Sequence, residues 1–364
     1  MNYVNTLKNH FKRYPVLAKY GHRVMKSLWS IQAVIKDYHY PSDNSATISY
    51  DLVKEFNKNR IFGPKAKICY AAFNNMHFQM NGDVTSCSFN YDVCLGNILT
   101  KSIKEIWFGE NARKFREDMS NYNLDKCMSC KKVLLSKNFN SFPALKYDMY
   151  SNDEIQFPTQ MSFETSDLCN YACIMCNENF SSAIKKDKGL PRIKSIYPRD
   201  FTHQLQEFIP HLKIATFIGG EPLLIKEYYD IWESILENNK NCKIHIQSNG
   251  SIILPKFIRF IESGQFDIGI SLDSVNKSTF EKIRVHSNFD DVLNNIYRLK
   301  EYEKAGKISM NFNFCPLTLN WNELPELVEF SNKLNISLKI VHVTNPFHLG
   351  LPHRDATYLT NIYN

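Results

Sequence analysis

The sequence predicts an α/β fold: a partial (β/α)6 barrel, preceded by a small α+β domain and an N-terminal helical segment. Two observations point to it. From about residue 156 onward, short apolar strands alternate with longer amphipathic helical stretches. Ahead of that point the pattern changes to one hairpin signal and one long helical stretch. With 364 residues, 43% of them hydrophobic, the chain can bury a sizeable core and form more than one domain.

The predicted strands cover 160–165, 214–218, 243–247, 266–272, 308–314 and 337–343, with helices over 202–211, 227–238, 255–263, 289–305 and 324–334. Such a run of βα units calls for a parallel sheet, because parallel strands need crossovers and helices supply them. Six units rather than eight suggest an open barrel. Ligands of such sheets sit at the carboxyl ends of the strands, so chemistry is expected just after each one.

The first 150 residues read differently. Residues 1–36 are basic and broadly amphipathic, with Phe11, Val16, Leu17, Val24, Met25, Leu28 and Trp29 at mostly helical spacing. That pattern fits a helical layer packed on another domain, or a surface that grips a partner or substrate. Residues 40–46 read as a linker. In "MNGDV", Asn81 and Gly82 form the strongest short hairpin signal, joining 76–79 to 84–88. A helix is expected over 102–119. The boundaries drawn are 1–60 for the helical segment, 61–150 for the small domain and 151–364 for the barrel.

No run of about 18 apolar residues appears, and residues 1–27 lack the apolar stretch and cleavage site of a signal peptide. The expectation is a soluble, cytoplasmic protein without membrane contact. The net charge of +7 suits an acidic partner such as an electron carrier, or simply a solvated surface, and no nucleic-acid motif accompanies it. In a reducing cytosol, ten cysteines point to metal or redox chemistry sooner than to disulfides.

The stretch "DLCNYACIMCNENF" sets Cys169, Cys173 and Cys176 on the loop after the first barrel strand. Three thiolates can hold three irons of a 4Fe-4S cluster and leave the fourth iron open to another ligand. Zinc is the competing metal, but residues 177–182 offer no cysteine or histidine as a fourth ligand.

With this loop the sequence resembles the radical SAM family, whose CxxxCxxC loop binds such a cluster after strand one. After the second strand, Gly219, Gly220, Glu221 and Pro222 match the family's GGEP element, which is implied to hold the ammonium group of S-adenosylmethionine (SAM). Glycines without a Cβ let backbone carbonyls approach an ammonium, and Glu221 adds an anionic acceptor. Ser248 and Asn249 stand where relatives carry a TNG-like element near the methionine and ribose groups. Ser271 and Asp273, two apart on a strand, point to one face and can both reach ribose hydroxyls. Arg284 stands where similar enzymes set an arginine against the cofactor carboxylate. Taken singly these residues also fit plainer roles: Ser248 and Asn249 as turn formers, Asp273 as a helix cap, Arg284 as a surface cation. The resemblance implies reductive cleavage of SAM to a 5′-deoxyadenosyl radical that takes a hydrogen atom from a substrate. It also implies an electron donor such as flavodoxin or ferredoxin, and a barrel lined by apolar strands suits such a radical.

Ahead of the barrel, Cys69, Cys87, Cys127 and Cys130, with "CLGNI", "IKEIW" and "KFRED" between them, resemble the SPASM/twitch module that binds auxiliary iron-sulfur clusters. Residues 131–167 contain no cysteine, so the shorter arrangement with one auxiliary 4Fe-4S cluster is the better match. This module usually follows the barrel; here it precedes it. Cys94 is either a replacement ligand or a small buried residue, zinc is the other metal for this set, and Cys242 and Cys315 read as core residues.

The expected substrate is a peptide or protein, because residues 1–67 form a substantial extra segment able to help hold a large substrate. The alternatives are a sugar or aminocyclitol or, in a different class, an iron-sulfur protein that transfers electrons or binds a partner without cleaving SAM. Tyr171 and Asn177 flank the cluster loop. His245 and His342 lie on strands, where a lone histidine is more often a satisfied core residue. The sequence singles out no catalytic acid, base or hydrogen donor.

Overall fold

A computed structural model of the chain describes residues 47–151, 156–192, 196–343 and 345–351; the amphipathic stretch over 1–36 and the linker over 40–46 lie outside them. Its strands are β1 (Asn75–Gln79), β2 (Asp83–Thr85), β3 (Cys94–Asn97), β4 (Gln160–Glu164), β5 (Ile214–Phe217), β6 (Lys243–Ser248), β7 (Phe266–Ser271), β8 (Ile308–Phe314) and β9 (Ser337–Ile340). They form one nine-stranded sheet in the order β3-β2-β1-β4-β5-β6-β7-β8-β9. From β4 to β9 every neighbour is parallel, with helices Phe201–Leu205, Lys226–Asn238, Pro255–Ile261, Phe289–Lys304 and Leu324–Leu334 in the crossovers. This is the partial α/β barrel that the alternation predicts.

The hairpin also forms where the turn signal placed it, with His77 opposite Thr85 and Gly82 at φ +80°. Beyond it, β1 lies parallel against β4, Asn75 to Gln79 in register with Gln160 to Glu164. One sheet therefore runs from the small domain into the barrel. The single helix expected over 102–119 is two, Ile103–Trp107 and Glu110–Ser120. Gly109 stands at the break, where a Cβ would lie 2.4 Å from the Glu105 carbonyl oxygen.

Alternation along the strands separates two faces. On the helix-covered face, Phe78, Phe163 and Phe217 sit in register on β1, β4 and β5 and stack at 5.2 and 4.8 Å. Helix residues close over them, Phe201 on Phe163 and Trp232 on Phe217. Burying each such ring contributes about 1.5–3 kcal/mol. The opposite, inner face is polar: Ser162 and Glu164 on β4, His245 and Gln247 on β6, Asp267 and Ser271 on β7, Asn311 and Asn313 on β8. The apolar barrel lining expected from the sequence is thus corrected, because these strands turn their apolar side chains outward to the helices. Among the described residues no helix is long and apolar enough to cross a membrane.

Candidate active site

The three-cysteine loop leaves the carboxyl end of β4 and is held by its backbone. Ala172 N donates to Val285 O and Ile174 N to Ile283 O, both at 2.9 Å. Ser182 Oγ accepts from Cys169 N and donates to Cys169 O, each at 3.0 Å. Tyr171 is buried and its carbonyl accepts from Ser181 Oγ, while Asn177 caps the following turn through Asn179 N. Lys185 and Asp167 form a buried ion pair at the base of the loop. With the backbone fixed in this way, the three thiols remain partly accessible. Burial pushes the Cys169 thiol up to about 11 and Cys173 to about 12, and raises Cys176 as well. Such thiols ionise readily only when a metal takes the proton's place.

The donor geometry bears on which metal fits. Among the described residues no three His, Cys, Asp or Glu side chains converge tightly enough to hold a single metal ion. A tetrahedral zinc would need sulfurs about 3.8 Å apart, whereas a cluster gives each thiolate its own iron and accepts wider spacing. Three thiols on one loop are a donor set whose chemistry suits a cluster.

The next strand ends pack around this loop. Gly219 and Gly220 have φ +80° and +47°, and a Cβ on Gly220 would lie 2.3 Å from the Leu168 carbonyl oxygen, which accepts from Glu221 N at 2.7 Å. The glycines are needed because the chain passes directly over the residue before Cys169. Pro222 then opens a short turn, Pro222–Leu224. Glu221 is fully buried; its Oε1 accepts from Ser248 Oγ at 2.8 Å and Leu223 N at 3.1 Å, and its Oε2 from Asn249 N at 2.7 Å. Burial pushes its carboxyl up to about 7. Glu221 therefore ties the end of β5 to the end of β6, rather than standing open as an acceptor. Asn249 Nδ2 reaches Asn170 Oδ1 at 2.9 Å and Cys169 Sγ at 4.0 Å.

Ser271 and Asp273 take different partners. Ser271 Oγ accepts from Gln247 Nε2 at 2.8 Å on the inner face. Asp273 lies past the end of β7, fully buried, and pairs with Arg284 at 2.7 Å. Arg284 is thus a buried ion-pair partner and not a surface cation. Cys315, read from sequence as a core residue, follows β8 directly and has Asp273, Arg284 and Cys173 as its charged neighbours. Its place just after a strand end was the available signal. Cys242 is fully buried, as expected.

The four cysteines of the small domain come together. Cys69 precedes helix Ala71–Asn74, Cys87 follows β2, and Cys127 and Cys130 open helix Met128–Leu135. Burial raises the Cys69 thiol well above its ordinary value, and the charges of Cys87, Cys130 and Cys127 raise it further. Asn90 links two segments by donating to Lys126 O at 2.6 Å and Cys127 Sγ at 3.1 Å. Cys94 is exposed on β3, donates to Gly96 O at 3.3 Å and has Asp83 as its charged neighbour.

One constellation escaped the sequence reading. Tyr91 Oη donates to Glu164 Oε2 at 3.0 Å, and His77 Nε2 lies 3.3 Å from the same oxygen. Tyr91 is 46% exposed and His77 fully buried. Glu164 ends β4, so its position at a strand's carboxyl end was the only hint. His245 is satisfied by Asp267 at 2.7 Å, and burial lowers His342.

Residues 163–331 match the model of the Radical SAM superfamily, and residues 69–131 that of an iron-sulfur cluster-binding domain. Among curated proteins, the chain is similar to a "Probable GTP 3',8-cyclase" of Methanococcus maripaludis, 27% identical over 179 residues, 48% of this chain and 55% of that protein. It is also similar to a "GTP 3',8-cyclase" of Vibrio parahaemolyticus, 24% identical over 188 residues, 50% and 53% of the two chains. The chain spans about half the length of the curated relatives it matches. Among solved structures, "Native anSMEcpe with bound AdoMet" is 19% identical, covering 51% of this chain and 52% of that one at a TM-score of 0.40. Streptococcus suis SuiB bound to precursor peptide SuiA is 14% identical, covering 69% and 57% at a TM-score of 0.45. The two matched segments hold the two cysteine sets just described. The chain thus carries a radical SAM domain over residues 163–331 and an iron-sulfur cluster-binding domain ahead of it over 69–131, which together support a radical SAM enzyme with 4Fe-4S clusters and SAM as its cofactors.

Proposed function

We propose that the protein oxidises a small hydroxylated substrate, of the sugar or aminocyclitol class, held on the polar inner face of the barrel. The observation behind this reading is the row of polar side chains that crosses β6 to β9. Gln247 bonds Ser271 and Asn313, Asn311 Nδ2 donates to Asn313 Oδ1 at 3.0 Å, and Lys339 Nζ donates to Asn311 Oδ1 at 2.9 Å. These side chains already bond one another, and the donors and acceptors they have left over suit a ligand that brings hydrogen-bonding groups of its own.

In this reading Cys169, Cys173 and Cys176 hold the SAM-binding cluster, and Cys69, Cys87, Cys127 and Cys130 hold the auxiliary one. Gly219, Gly220, Glu221, Pro222, Ser248 and Asn249 shape the SAM side of the cavity. When bound, these groups supply a 5′-deoxyadenosyl radical that removes one hydrogen atom and, at the auxiliary site, a one-electron acceptor. The carbon that has lost its hydrogen atom becomes a carbonyl carbon once its hydroxyl proton and one electron have left. Glu164 takes the proton: it ends β4 beside the cysteine loop, and Tyr91 Oη holds its carboxylate by a hydrogen bond. An acidic carrier such as flavodoxin or ferredoxin, matched to the net charge of +7, delivers the electron that starts the reaction.

The peptide expectation rested on residues 1–67, of which 1–46 lie outside the described residues. The experiment is deuterium transfer into 5′-deoxyadenosine, read by mass spectrometry on anaerobically reconstituted protein with SAM and reductant. The probes are perdeuterated myo-inositol, glucose and glucosamine, set against a deuterated peptide mixture. Label from a polyol or sugar is expected, and Glu164→Gln should keep that transfer while losing the carbonyl product by about a hundredfold or more. Label from peptides alone would remove the hydroxylated-substrate reading.

A further inference from the structure

Arg284 is 7% exposed, and its guanidinium is divided between two partners. Nη2 lies 2.7 Å from Asp273 Oδ2, and Nη1 donates to Cys173 Sγ at 3.8 Å. The segment around it is fastened to the cysteine loop on both sides of Cys173, through Val285 O to Ala172 N and Ile283 O to Ile174 N. This short ladder fixes the Arg284 backbone beside that sulfur. Asp273 is fixed as firmly: its Oδ1 accepts from Cys315 N at 2.8 Å and its carbonyl from Asn320 Nδ2 at 2.8 Å. Carboxylate, guanidinium and thiol thus form a row, its ion pair buried, that ends on one cysteine of the SAM-binding loop.

We propose that this row sets the reduction potential of the cluster held at Cys173, with Arg284 raising it and Asp273 limiting the rise. One-electron reduction adds negative charge to a cluster, so a fixed cation beside a ligand sulfur favours the reduced form and a fixed anion opposes it. Burial strengthens both effects, because little water is present to screen them. The N–H to sulfur contact acts in the same direction as the cation. A lone buried guanidinium would make the cluster easy to reduce but a weak donor of the electron that SAM must receive. The neighbouring carboxylate returns the potential towards the low range that this donation requires, while the pair keeps the loop in place. Arg284 and Asp273 are therefore positioning and tuning residues, and the role does not depend on which substrate the barrel holds.

The test is an EPR-monitored redox titration of the anaerobically reconstituted full chain without SAM. The signal whose shape changes when SAM is added afterwards identifies this cluster against the auxiliary one. Arg284→Met should lower the midpoint and Asp273→Asn should raise it, each changing the reduction equilibrium about tenfold, or about 59 mV for one electron. Arg284→Lys should recover part of the loss. Iron and sulfide per chain, unchanged from the native protein, check that each variant keeps its clusters. If Arg284→Met sheds its cluster, the opposite signs expected of Arg284→Lys and Asp273→Asn still decide the question. Midpoints that stay put, or that move the same way in both variants, would overturn the proposal. So would Arg284 variants that lose SAM affinity at an unchanged potential, since that outcome assigns the guanidinium to the SAM carboxylate.

Discussion

Gly220 has no space for a side chain. A Cβ there would meet the Leu168 carbonyl oxygen at 2.3 Å, and its φ of +47° disfavours any other residue. Gly220→Ala should therefore cost more than about 1 kcal/mol and push Leu168 away from its place before Cys169. The expected result is lower iron content per chain and a lower melting temperature. Gly189 provides the comparison: its φ is +66°, but nothing lies within 4 Å of a Cβ built there. Gly189→Ala should pay the backbone strain and leave the iron content unchanged; equal iron loss in both variants would contradict the close-approach argument. Glu221 teaches a related point, since a motif residue can serve a site by bracing it. Its carboxylate joins two strand ends, and no ligand contact is needed to explain its burial.

At the scale of elements, the stacked row Phe78, Phe163 and Phe217 joins the two parts of the sheet across β1, β4 and β5. Phe163 is the middle ring and 1% exposed, so Phe163→Ala should destabilise the fold by about 3–5 kcal/mol, measured by denaturant unfolding. A loss below about 1 kcal/mol would mean that the two parts are not joined through this row. The barrel strands and their helices were legible because each is a local pattern, and the hairpin because Asn81 and Gly82 demand a turn. The pairing of β1 with β4 was not, since it joins residues 85 positions apart, as with Asn75 and Gln160, and no local signal announces it. The polar inner face was written in "IHIQS", "FDIGIS" and "ISMNFNF", where polar residues alternate with the apolar ones. It was missed because runs rich in isoleucine and phenylalanine look apolar throughout. The loop of Cys169, Cys173 and Cys176 was legible for the opposite reason, being one short motif with fixed spacing. Glu164 with Tyr91 and His77 was not, because those residues come from three separate segments that only the folded sheet brings together. The choice of Asp273 as partner of Arg284 is likewise a tertiary fact.

Across the whole molecule, one continuous sheet sets both thiol groups at fixed positions. The loop of Cys169, Cys173 and Cys176 leaves β4, and the second cysteine set gathers around β1 and β2, which adjoin it. An auxiliary domain placed ahead of the barrel in sequence thereby becomes a lateral extension of it in space. The central claim is that the loop of Cys169, Cys173 and Cys176 supports cleavage of SAM. Its most direct measurement is the yield of 5′-deoxyadenosine from anaerobically reconstituted, reduced protein given SAM. The native chain should form it, and Cys173→Ala should fall to the background seen without protein. Intact SAM after incubation with the native chain, or equal yields from the two proteins, would contradict the account.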